Sequence, residues 1–150
     1  MREILFRGKR VDGRGWVEGM LIHVRDYCCI LPLDCEEYEV THLSPKFGII
    51  DGEAVPVIPE TVGQYTGFVD KFMRKVFEGD IIKTKYGREC IVTWSSSPTY
   101  RGWDLKVVDN YTNVMKTAHP DSHDLYANYN LEIVNNIHDI PEELLKGVEI

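Results

Sequence analysis

PETVGQYTGFVDKFMRKVFEGDII, residues 59–82, is the most fully specified stretch of the chain, and its reading decides the fold. Gly63-Gln64-Tyr65-Thr66-Gly67 reads as a turn, Asp70-Lys71 opens a basic loop, and Glu78-Gly79-Asp80 runs into the apolar strand that starts at Ile81. The stretch has no helical period and no fingerprint of catalysis or phosphate binding. It reads as an ordered junction between two β regions.

Outward toward the N-terminus, Ile4-Leu5-Phe6 forms a short strand, and Asp12-Gly13 supplies a hairpin turn because glycine tolerates positive φ. Trp16 to Val24 alternates: Trp16, Met20, Ile22 and Val24 share one face, and Val17, Leu21 and His23 share the other. Arg25-Asp26 turns the chain, and Tyr27 to Leu31 pairs back. Tyr38 to Thr41 is a further strand, and Asp51-Gly52 turns a second hairpin. Pro56 and Pro59 lack an amide donor, so the strand returning there is expected to lie at a sheet edge or to leave the sheet.

Outward toward the C-terminus, Ile81–Lys85 and Glu89–Trp94 form a hairpin about Tyr86-Gly87-Arg88. Asp104–Val108 and Leu131–Val134 are later strands, and residues 115–130 show no regular pattern. Phe77, Ile81 and Trp94 read as core, whereas Tyr100 and Trp103 look exposed. A short helix is expected to open at Pro141, capped by Asp139 and stopped by Gly147. The expected fold is mainly β: a small barrel-like meander in two β subdomains, 1–58 and 76–150, joined by a 59–75 junction within one domain of 150 residues.

The composition, 43% apolar and 27% charged, suits a globular core. No apolar run approaches the roughly 20 residues of a membrane helix, and no secretory signal opens the chain. The expected compartment is therefore the cytoplasm. Cys28 and Cys29 are neighbours on a strand, point to opposite faces, and cannot share a disulfide or metal site; they read as buried free thiols.

The central string Glu60 to Gly67, then Asp70-Lys71, then Val76-Phe77-Glu78-Gly79-Asp80-Ile81-Ile82, resembles the signature of the YopX family of phage and prophage proteins. Met1 to Gly8 resembles that family's start, and Leu131 to Ile137 with Pro141 to Leu144 resembles its end, so the likeness spans nearly the whole chain. The chain departs from the family twice. Phe72-Met73 stands where the family places Asn-Gly after Asp-Lys, and Asn135 stands where it commonly has glycine. The resemblance implies a small, mostly β accessory protein of a phage or prophage, at work in a bacterial host cell. It implies no catalytic residue.

Four candidate chemistries follow from the residues. His119 and His123 have a spacing used by zinc sites, but no Cys-x2-Cys accompanies them and Pro120 breaks a common helix face, so no metal or cofactor is expected. Cys28, Cys29, Ser95, Ser96 or Ser97 would need His23 or His42 as base in a small hydrolase, yet no nucleophile elbow frames them. Lys71, Arg74, Lys75, Lys83, Lys85 and Arg88 give residues 71–88 a charge of +4, with aromatics interleaved as in single-strand binders. The net charge of −7 opposes such a partner. Phe72 and Met73 form an apolar tip suited to a protein interface, either with another copy of the chain or with a phage or host protein. The leading expectation is a non-catalytic, self-associating module; nucleic-acid binding is the alternative.

Overall fold

The structure is a computed structural model and describes residues 2–32, 54–85, 87–109, 113–114 and 130–144. The chain divides into two compact units, Met1–Gln64 and Tyr65–Ile150.

In the first unit, β1 (Phe6–Lys9), β2 (Trp16–Val24), β3 (Tyr27–Pro32) and β4 (Val55–Pro56) form an antiparallel meander in the order β4-β3-β2-β1. The Asp12-Gly13 turn forms as expected, with Gly13 at φ 75° and Arg10 N–H donating to Gly15 O. Val17 and Leu21 of β2, which the alternation puts on one face, pack with Phe6 and Val62 against Cys28, Ile30 and Val57. β4, with Pro56, ends the strand order, but it is no open edge: Val57 N–H donates to Cys28 O on the β3 side, while Val11 N–H donates to Pro56 O and Ile58 N–H to Lys9 O on the other. Pro59 opens a 3-10 turn over Pro59–Thr61. The expected strands at residues 38–41 and 47–57 lie largely outside the described residues.

The turn expected at residues 63–67 is instead a strand. β5 (Gly63–Val69) pairs Gly63 and Gln64 with β1, and pairs Tyr65 and Val69 with β6 (Lys75–Phe77). The two glycines suggested a turn. Pairing on both sides of the strand overrides that local preference, and the irregularity survives only as a register shift between Tyr65 and Val69, with Gly67 at φ 89°.

The second unit carries a sheet of β7 (Asp80–Lys83), β8 (Glu89–Ser96), β9 (Arg101–Asp109), β10 (Asn113–Val114) and β11 (Glu132–Asn136), in the order β10-β9-β8-β7-β11. Its central strands are buried on both faces. Ile82, Cys90, Val92, Leu105 and Val107 pack with Val76, Trp103 and Leu131 on one side. Ile81, Ile91 and Val108 meet Ile137 and Ile140 on the other. That two-sided burial explains why the strands read as nearly continuous apolar runs.

The mainly β class holds, but among the described residues neither sheet closes into a barrel. The expected C-terminal helix is, as far as it is described, a single 3-10 turn over Glu142–Leu144, after another over Ile137–Asp139 that the Asn136 side chain caps by accepting from His138 N–H. The two tryptophans also exchange their expected places. Trp103 is buried and Trp94 is 50% exposed. They sit directly opposite on β8 and β9 and meet edge to face at 5.0 Å, so the pair shares one face and only one ring can be covered.

Candidate functional site

β5 and β6 are joined by a three-residue loop, Lys71-Phe72-Met73. Asp70 and Arg74 close it: Asp70 N–H donates to Arg74 O at 2.8 Å, and Met73 N–H donates to Asp70 O at 2.9 Å. Three-residue hairpin loops place their last residue in the left-handed region, which favours glycine. Here that residue is Met73, at φ 63°. Among the described residues only Arg25 and Met73 are non-glycine with positive φ, so Asn135 keeps ordinary backbone and lies beside the bulge of β11 on β7.

What holds Met73 in this conformation is the Asp70 carboxylate, which is fully buried. Oδ1 accepts from Phe72 N–H and Arg74 N–H, both at 2.9 Å. Oδ2 accepts from Arg74 Nε–H at 2.8 Å and from Ile133 N–H at 3.2 Å. Lys71 N–H donates to Leu131 O, and the Arg74 guanidinium donates to Ile133 O, so the loop is fastened to β11 from both ends. Burial alone would raise the Asp70 pKa. The hydrogen bonds from Arg74, Ile133 and Phe72 outweigh it and hold the carboxyl below its ordinary range.

The result is a stiff base under an exposed tip. Phe72 is 60% and Met73 77% exposed. Two cations flank the ring: Lys71 Nζ lies 5.0 Å and Arg74 Cζ 5.3 Å from the Phe72 centroid.

The six basic residues divide into two sets. Lys71, Lys83 and Lys85 line one cleft of about 360 Å³, together with Thr84, Asn130 and Glu132. Glu132 forms an ion pair with Lys71 and stands opposite Lys83 in the β7–β11 register. The turn from β7 to β8 supplies the rim: Thr84 N–H donates to Arg88 O, and Gly87 N–H donates to Thr84 O. The other three basic residues do not line this cleft. Arg74 is bound to Asp70 and Ile133, Lys75 Nζ lies 6.0 Å from the Tyr65 ring, and Arg88 belongs to the turn through its backbone.

The remaining candidates gather no site among the described residues. Cys28 and Cys29 are buried free thiols, as expected, and Cys90 is buried as well. Burial pushes the Cys28 and Cys29 thiols up, away from the reactive thiolate. His23 is exposed near the end of β2. The Ser97 hydroxyl closes the β8–β9 turn, donating to Tyr100 O and accepting from Tyr100 N–H. His42, His119 and His123 lie outside the described residues, and no group of three potential metal ligands occurs within them. No helix among the described residues is long and apolar enough to cross a membrane.

Sequence reasoning found the tip and the basic residues but missed Asp70 as the brace. An aspartate immediately before a hairpin loop is the signal that was there to be used, since its carboxylate reaches the amides two and four residues on.

Comparison with known proteins gives one family. The family model described as YopX protein matches residues 12–146. No curated protein matches the chain.

Proposed function

Because this chain belongs to the YopX family, we propose that it is a phage or prophage accessory protein of the bacterial cytoplasm that works by binding protein rather than by catalysis, with a second copy of itself as first partner. One observation carries the reading: a fully buried carboxylate holds Met73 in unfavourable backbone while Phe72 and Met73 point into solvent. Left-handed backbone costs a non-glycine residue about 1–2 kcal/mol. Strain of that kind, kept by an over-determined base, is a reason to look for function at the tip.

Covering Phe72 and Met73 would contribute roughly 1.5–3 kcal/mol each if burial were complete. Two side chains do not make the roughly 800 Å² per partner of a stable interface. They act as anchors within a larger, charged surround. The chain supplies that surround in both signs: residues 71–88 carry +4, which leaves −11 on the rest of a −7 chain, Glu142 and Glu143 among them. A second copy is therefore a complementary partner.

Light scattering tests this directly. The expected mass is well above the 17.3 kDa of one chain, and Phe72→Glu or Met73→Glu lowers it. A wild type that stays monomeric at high concentration removes the reading.

Nucleic-acid binding stands second. It is favoured by the convergence of Lys71, Lys83 and Lys85 and opposed by the net charge and by the side-chain engagements of Arg74 and Lys75.

A further inference from the structure

We propose that the cleft between the start of β11 and the β7–β8 turn is a binding site for a phosphate-type oxyanion. Among the described residues three ammonium groups and one carboxylate line it, Lys71, Lys83, Lys85 and Glu132, a sum of +2 in a chain of net −7. That matches one phosphate dianion better than a single carboxylate. Thr84 and Asn130 add neutral polar groups, and among the described residues the lining is polar or charged apart from Gly87. About 360 Å³ is within the range of small-molecule pockets and exceeds what one phosphate needs, so the site has room for a diphosphate or for the chain that carries a phosphodiester.

The cleft is built rather than incidental. Lys71 is placed by its own N–H, which donates to Leu131 O, and by the Asp70 brace on Ile133. Lys83 is fixed by its register opposite Glu132, and Lys85 lies in a turn closed by two backbone hydrogen bonds. Three cations thus converge from two segments of the chain, the β5–β6 loop and the end of β7 with its turn. The overall negative charge opposes long-range attraction of an anion, so binding here depends on contact and falls with salt.

Glu132 gives the proposal its sharpest consequence. Its carboxylate pairs with Lys71 and faces Lys83, and it competes with any anion for both. Calorimetric titration at low ionic strength, with inorganic pyrophosphate in one arm and single-stranded oligothymidylate in the other, tests the site. Lys83→Gln with Lys85→Gln is expected to weaken binding at least tenfold; both residues are exposed, and circular dichroism checks that the variant is folded. Glu132→Gln is expected to tighten it about threefold, a gain that a merely structural role for Glu132 does not produce. Saturable pyrophosphate binding with no preference for the oligonucleotide assigns a small phosphate ligand. Much tighter oligonucleotide binding, with a log–log salt slope of roughly −2 for three cations, assigns nucleic acid. Failure of both ligands to saturate, or indifference to both substitutions, overturns the site. Association through Phe72 and Met73 is read separately as mass, so either proposal can fail without the other.

Discussion

Two turns ten residues apart use the same device to opposite ends. At the β6–β7 turn, buried Asp80 accepts from Phe77 N–H at 2.8 Å and from Asn136 Nδ2–H at 3.1 Å. The turn residue there is Gly79, at φ 87°. At the β5–β6 turn, buried Asp70 likewise accepts backbone donors from its own loop and from β11, but the left-handed residue is Met73. The first turn faces the core, where Gly79 N–H donates to Val92 O and Ile137 N–H donates to Gly79 O. The second presents two large apolar side chains to water. A buried carboxylate that gathers amides is thus a folding element in both places; what stands on top of it decides whether the turn also offers a surface.

The largest expected effect is at the inner turn. Asp80→Ala removes the carboxylate that accepts from Phe77 N–H and the Asn136 amide in the core, a loss of roughly 1–3 kcal/mol for each buried hydrogen bond broken. A loss of about 3 kcal/mol is expected in urea denaturation. Asp70→Ala should cost less, about 2 kcal/mol, because Arg74 keeps Ile133 O as a partner and the loop faces solvent. It should also lower self-association, since the tip loses its base. Asp80→Ala should lower association only in proportion to the fraction unfolded. Equal loss of association per unit of stability in the two variants would erase the distinction.

The same contrast has a pH form. The folded-state pKa of Asp70 lies below its unfolded value, so its contribution to stability is present above the unfolded carboxyl pKa and is lost as pH falls through the folded one. Asp70→Asn is therefore expected to flatten the acid limb of a stability–pH curve while leaving its neutral and alkaline limbs parallel to wild type. Parallel curves down to the acid limit would show that the Asp70 hydrogen bonds contribute nothing through ionisation.

Much of this was legible from residues alone, for definite reasons. Alternation in Trp16–Val24 grouped Val17 with Leu21 on one face of β2, and Asp12-Gly13 marked its hairpin, because both signals are local. The 63–67 segment was misread because two glycines look like a turn unless the strands on either side of it are known. Trp94 and Trp103 were exchanged because cross-strand pairing puts both on one face, and only tertiary packing selects the ring that is covered. The cleft was visible as a charge run but not as a site. Glu132 and Asn130 come to Lys71 through the Leu131 and Ile133 contacts of a loop some sixty positions earlier in the chain, which no local pattern encodes.

The smallest effects make the cleanest test, because they run in opposite directions. Gly79→Ala puts a Cβ 3.4 Å from Ile137 Cγ1, an ordinary contact, so its expected cost of about 1 kcal/mol is the backbone penalty at φ 87°. Met73→Gly relieves the corresponding penalty at φ 63°. Part of that relief is offset by the greater freedom of glycine in the unfolded chain, which leaves a net gain of about 0.5 kcal/mol. The glycine restores the residue that the turn geometry prefers and removes half of the apolar tip. Stability should therefore rise slightly while the mass measured by light scattering falls. A rise in stability with association unchanged would mean that Met73 occupies its strained position for no reason connected with binding, and Phe72 alone would then have to carry the contact.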